Sequence, residues 1–234
     1  IKPVDDPLIE LRRVKDRAEI KTIKKAADIA AETLEKSLEL IEPSMTETAL
    51  VGLIELNMRK LQASPSFDTI VAFGANASRP HHRAGKRKLR KKDTILIDFG
   101  ARYEGYCSDI TRCFAYGKPS GKYRRIYEAV FQAQRAAIEK IGPGVDIREV
   151  DKTAREVIRE YDLPPHQHGT GHGLGLEVHE NPVLSPASSG KLDAGMVFTV
   201  EPGVYLPGKT GVRIEDDVLV TETGCQVLSR KCRH

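Results

Sequence analysis

Two stretches decide the reading: residues 93–117, DTILIDFGARYEGYCSDITRCFAYG, and residues 195–224, GMVFTVEPGVYLPGKTGVRIEDDVLVTETG. Each opens with an apolar run, Thr94-Ile95-Leu96-Ile97 in one and Met196-Val197-Phe198-Thr199-Val200 in the other. Each run ends on an acid, Asp98 or Glu201, followed by a glycine, a turn and a second strand pattern through Asp109 or Glu215. A carboxylate at the end of an apolar strand is costly to bury unless something positive meets it. For either acid alone, an ordinary salt bridge would answer that cost. Hairpin turns that set Asp98 beside Asp109, and Glu201 beside Glu215, would instead gather four carboxylates on one sheet face, because neighbouring strands lie about 5 Å apart. Such a group repels itself, and divalent cations are its natural counter-charge.

Working outward, the strands are preceded each time by a helical pair. Apolar residues at helical spacing over residues 14–42, stopping at Pro43, predict a long helix. Thr46 stands at an N-cap position before a second helix running to Leu61. FDTIVAFGAN then predicts a strand ending in a turn. About 100 residues on, the order recurs: a helix over Tyr123 to Ile141, a break at Pro143-Gly144, Asp146 as cap, and a helix to Tyr161. Residues 41–46 lie over residues 141–146 in register, so the chain reads as a duplicated architecture that contributes two acids from each copy.

Four carboxylates carry the charge of two divalent ions, and a neutral histidine adds a ligand without altering that balance. Two ions about 3.5 to 4 Å apart share a bridging water and lower its pKa. The histidine comes from HQHGTGHGLGLEVHENP, residues 166–182, where glycines permit close backbone packing and His168, His172 and His179 offer ligands or proton donors. Oxygen ligands with one imidazole suit Mn²⁺ first, then Co²⁺ or Zn²⁺.

Composition excludes other classes. With 40% hydrophobic and 30% charged residues among 234, the chain reads as a folded globular protein. It contains no apolar run of the roughly 20 residues that a membrane helix needs. Four cysteines without a C-x-x-C pair point to a reducing, cytoplasmic setting. The basic run of residues 83–92, RAGKRKLRKK, reads as a solvated loop or strand edge rather than a nucleic-acid site, since it lacks interleaved aromatics.

IDFGARYEGYCSDITRCF, HGTGHGLGLEVHENP, TVEPGVY and GVRIEDDVLVTETG, in that order, resemble the signature of the pita-bread metallopeptidases. GVRIEDD and SDITRCF are closer to the Xaa-Pro aminopeptidases and Xaa-Pro dipeptidases (prolidases) than to the methionine aminopeptidases, and the likeness runs from Leu11 to Leu228. The resemblance implies an α+β fold of two pseudo-symmetric halves with a curved antiparallel sheet and outer helices, in a single catalytic domain. It also implies that residues 1–13 are a linker from an N-terminal domain outside this sequence, and it leaves room for a homodimer.

Residue by residue, it implies that Asp98 holds one metal, His172 and Glu201 the other, and that Asp109 and Glu215 bridge. His81, with His82 as the neighbouring alternative, would lie near the substrate amide, and His179 would contact the substrate carbonyl or the tetrahedral intermediate. His168 and Arg213 would belong to the substrate pocket, Arg213 supporting Glu215. The implied reaction is attack by a hydroxide bridging the two metals on the bond before proline, in small peptides with proline second, with Glu201 shuttling the proton. Rival readings are a catalytically inactive binding module on the same fold and a creatinase-like hydrolase that works without metal.

Overall fold

Ser44 and Gly144 hold left-handed backbone (φ 66° and 80°) at equivalent points of the two halves, and the same hydrogen bonds surround them. Ser44 N–H donates to Leu89 C=O as Gly144 N–H does to Leu192 C=O, and Leu89 N–H returns to Met45 as Leu192 N–H returns to Val145. The computed structural model describes residues 8–232, and this correspondence establishes the duplication within it. The helices are α1 (Leu8–Arg13), α2 (Arg17–Leu38), α3 (Glu47–Lys60), α4 (Gly121–Glu139) and α5 (Ile147–Glu160).

The helix α2 begins at Arg17, later than the spacing predicts, because Asp16 forms a capping box with Glu19. Thr46 and Asp146 cap α3 and α5 by accepting from Ala49 N–H and Arg148 N–H, each cap worth about 1 kcal/mol. Within the expected linker, residues 1–7 lie outside the described residues. Leu8–Arg13 is helical, and Arg12 ion-pairs with Glu177 and Glu180.

The first half supplies β1 (Ser64–Pro65), β2 (Ile70–Phe73), a 3₁₀ turn (Gly74–Ser78), β3 (Thr94–Phe99), β4 (Ala101–Tyr103), β5 (Tyr106–Cys107) and β6 (Ile110–Ala115). The second supplies β7 (Gly171–Gly173), β8 (Glu180–Leu184), β9 (Val197–Val200), β10 (Gly203–Leu206), β11 (Thr210–Arg213), β12 (Asp216–Val220) and β13 (Cys225–Val227). Pairing is antiparallel, in sheets ordered β2-β3-β6 and β13-β12-β9-β7-β8, with β1-β4-β5 and β10-β11 as smaller ribbons.

On β3 the buried residues alternate. Ile95, Ile97 and Phe99 pack in one cluster with Leu50, Ile54 and Met58 of α3, while Leu96 joins a second cluster with Ile126, Val130 and Val150 of α4 and α5. The basic run forms irregular chain leading into β3, with Leu89 buried and Arg87 paired to Asp93.

The two main sheets meet where Glu215 N–H donates to Thr111 C=O. Arg112, 1% exposed, spans that seam: it donates to the carbonyls of Thr111, Glu215 and Cys232 and ion-pairs with Asp216 at 2.7 Å. Removing one partner of a buried pair strands the other charge, so Asp216→Ala should cost about 3–5 kcal/mol in a urea unfolding experiment. A loss below about 1 kcal/mol, the scale of an exposed pair, would contradict this role for the seam.

Candidate metal centre

The hairpin expected to set Asp98 beside Asp109 is corrected by the register: Asp98 lies opposite Thr111. The β4-β5 excursion intervenes between the strands, and Asp109 falls two residues from the paired position. Because side chains alternate along a strand, Asp109 shares Thr111's face and lies on the diagonal to Asp98. In the second half Val200 pairs with Asp216, so Glu201 and Glu215 extend that register as direct neighbours beyond the strand ends. Glycine lets β7 bring in the histidine, since a Cβ on Gly171 would lie 1.8 Å from Thr199 O and one on Gly173 2.3 Å from Asn181 O.

These elements converge. Ligand atoms of Asp109, His172 and Glu215 lie within 4.8 Å of one another, and His172 Nε2 stands 3.6 Å from Asp109 and 3.5 Å from Glu201. Asp98 is ion-paired with Arg213, so the ordinary salt-bridge answer applies to one of its oxygens. One guanidinium does not balance four acids. Burial, then the charges of Glu215, Asp98 and Glu201, push the Asp109 carboxyl well above the usual carboxylate range. Burial, then Glu201 and Asp98, do the same to Glu215. Burial raises Glu201 to about 7 against the pull of Arg213, with Asp98 adding to the rise.

The residues fit divalent metal on two further counts. Asp98 Oδ1 and Asp109 Oδ1 are buried without a hydrogen-bond partner, which is costly for a carboxylate oxygen unless a cation meets it. Burial, then His179, lower the His172 pKa to about 4, so the ring is neutral. Its Nδ1–H donates to Gly173 C=O at 3.1 Å, which leaves the Nε2 lone pair facing carboxylate oxygens.

Other expected residues surround this cluster in one cavity of about 580 Å³, whose wall includes His81, His168, His179 and Arg213. The His179 ring lies 4.3 Å from that of His172. His168, lowered to about 4 by burial and then Arg213, is neutral. Its Nδ1 donates to Gly169 C=O, so Nε2 accepts from the Tyr205 hydroxyl at 3.0 Å, whose oxygen accepts from Arg213 at 2.8 Å. Arg213 also donates to Thr111 Oγ1, and Thr111 donates in turn to Glu215. His82, the alternative to His81, is buried against Glu47.

Thr111, Tyr205 and Asp151 escaped the sequence reading. Asp151, 1% exposed on α5, accepts from Thr170 and ion-pairs with Arg155, which holds the carbonyls of His166 and His168. Its signal was a charge on the apolar stripe of Ile147, Val150, Ala154 and Ile158.

Residues 21–222 match the pattern of the family described as Metallopeptidase family M24. The chain belongs to metallopeptidase family M24. This M24 peptidase is similar to an X-Pro aminopeptidase from Thermotoga maritima, with a TM-score of 0.93, 42% identity, and coverage of 97% of this chain and 65% of that one. Similar values relate it to a prolidase from Pyrococcus furiosus (TM-score 0.93, 42% identity, 97% and 68% covered). An uncharacterized peptidase of Staphylococcus haemolyticus is 44% identical over 230 residues. The match spans 97% of this chain and 65% of that relative's length. The α+β architecture is therefore the pita-bread fold, and no helix of the described residues is long and apolar enough to cross a membrane.

The raised carboxyl pKa values carry a sign. A metal held here would have to displace protons from Asp109, Glu201 and Glu215, while His172, already neutral near pH 6, would contribute none. Mn²⁺ binding at pH 6 should release at least about one proton per chain, and affinity should rise with pH, as read by calorimetry in buffers of different ionisation enthalpy. Proton-neutral, pH-independent binding would contradict the assignment.

Proposed function

We propose that this M24 peptidase hydrolyses the peptide bond preceding proline in small peptides with proline second, using two divalent ions, Mn²⁺ first among them. One observation carries the reading: four carboxylates and one neutral imidazole line one cavity, and the guanidinium of Arg213 is ion-paired with one of those acids, Asp98. In this reading Asp98, Asp109, His172, Glu201 and Glu215 hold the ions. When bound, the ions supply a hydroxide nucleophile by acidifying water and polarise the scissile carbonyl.

The chain's own residues do the remaining work. Glu201 takes the proton of the attacking water and delivers it to the leaving imino nitrogen. His179, exposed in the cavity beside His172, donates to the developing oxyanion. His81 faces the same cavity from the loop after β2 and meets the substrate amide region. His168 is held by Tyr205, and Arg213 fixes Asp98, Thr111 and Tyr205 together, so both keep the pocket in shape. Phe67, Ile70 and Val183 give the cavity apolar wall suited to a pyrrolidine ring.

An Xaa-Pro bond has no N–H, so a protease that lays its substrate out as a hydrogen-bonded strand handles it poorly, whereas an enclosing pocket does not need that donor. The cytoplasm is the setting we assign, on four free cysteines of which three are buried.

The test uses the full chain. Cleavage of Xaa-Pro dipeptides and of longer peptides with proline second should vanish with chelator and return with Mn²⁺, while matched Xaa-Ala substrates are cleaved poorly. Asp109→Ala and His172→Ala should each lower kcat/KM by more than about 100-fold, beyond the loss typical of groups that only orient a ligand. Hydrolysis that survives complete metal removal would overturn the reading.

A further inference from the structure

Glu47 is a charged residue where the repeat has no need of one. It is the first residue of α3, and at the equivalent first position of α5 stands Ile147, 3% exposed and packed in the core. Glu47 is 0% exposed, so its carboxylate persists only because it is fully hydrogen-bonded. Oε1 accepts from Phe73 N–H at 2.9 Å and Asn76 Nδ2 at 2.8 Å. Oε2 accepts from His82 Nε2 at 2.9 Å and Gly85 N–H at 3.0 Å. Burial alone would raise this carboxyl, and the donors, His82 first, hold it below the usual range.

The partners define what the bonds do. One oxygen grips the chain where it leaves β2, at Phe73 and Asn76, and the other grips it at His82 and Gly85, so the carboxylate closes the base of the loop spanning residues 74–85. That loop carries His81 into the cavity, and its Pro80 carbonyl accepts from Arg213, the residue that also holds Asp98. The rest of the α3 start is tied to the same strip, with Glu47 N–H donating to Arg87 C=O and Thr48 N–H to Gly85 C=O. No histidine follows the equivalent strip in the second half, where residues 185–191 read SPASSGK.

We propose that Glu47 is a positioning residue for His81, its buried carboxylate fixing loop 74–85 so that the His81 ring meets the substrate. The inference rests on the role given to His81 above. Glu47 touches no substrate and acts through the loop.

A double-mutant cycle on the Mn²⁺-loaded chain tests it, with Glu47→Gln, His81→Ala and their combination assayed on an Xaa-Pro dipeptide. Glu47→Gln should lower kcat/KM by about 10-fold to 100-fold, the scale of a misplaced catalytic group, with metal content unchanged. In the His81→Ala background the same change should cost less than about 2-fold, since its route of action is gone. Equal losses in both backgrounds would overturn the inference and leave the peptidase reading intact. A His81→Ala chain of undiminished activity would overturn the role of His81, and this inference with it. Hydrogen exchange supplies a readout independent of turnover: amides of residues 74–85 should lose protection in Glu47→Gln while those of β3 keep theirs, and an unchanged loop would also refute the proposal. Should Glu47→Gln fail to fold, Asn76→Ala removes one donor from the same oxygen and should give a smaller loss that again disappears with His81→Ala. Additivity there would be equally decisive.

Discussion

An imbalance of charge governs this molecule. Four carboxylates, Asp98, Asp109, Glu201 and Glu215, are drawn together where two half-domains meet, and Arg213 is the cation the fold places against them. Interactions among charges grow as water is excluded, so an arrangement tolerable on a surface becomes expensive inside. The pKa elevations express that expense as protonation, and the two unpartnered oxygens express it as geometry. A fold selected for stability alone would have placed apolar residues there. The acids are better understood as a site whose charge is completed from outside.

Around that site the histidine segments are held by carboxylates of a different kind, paired or hydrogen-bonded by neighbouring donors, one of them, Glu180, on the cavity wall itself. Asp151 holds the segment carrying His168 through Thr170 and Arg155. Glu180, whose side chain is 4% exposed, holds the segment carrying His179 through Arg12, Lys15 and the Glu177 N–H. Glu47 closes the loop carrying His81. Each histidine therefore sits on irregular chain that has been made rigid by charge-assisted hydrogen bonds, which are stronger than neutral ones and lock a loop that no sheet ladder restrains. Arg213 joins this system to the acids by contacting Asp98, Thr111, Tyr205 and Pro80 together.

Much of this was legible in the sequence because its causes are local. An apolar run ending in an acid, a threonine or aspartate before a helical stripe, and a glycine-rich histidine segment all announce themselves within a few residues, and the duplication became visible by laying residues 41–46 over 141–146. The relation of Asp98 to Asp109 was not legible in detail, since the β4-β5 excursion shifts the register and leaves Thr111 opposite Asp98. Nor were the clamping carboxylates, whose partners lie far along the chain: Glu180 binds Arg12 across 168 residues and Glu47 binds Gly85 across 38. The available sign was a charge on an otherwise apolar helical stripe, as at Glu47 beside Leu50 and Ile54, and such a sign says that a partner exists without saying which.

The most direct measurement is anomalous diffraction at the manganese edge from crystals of the chain grown with Mn²⁺. Two peaks, separated by about 3.5 to 4 Å and enclosed by Asp98, Asp109, His172, Glu201 and Glu215, are what the account predicts. A map with no manganese among those side chains would contradict it.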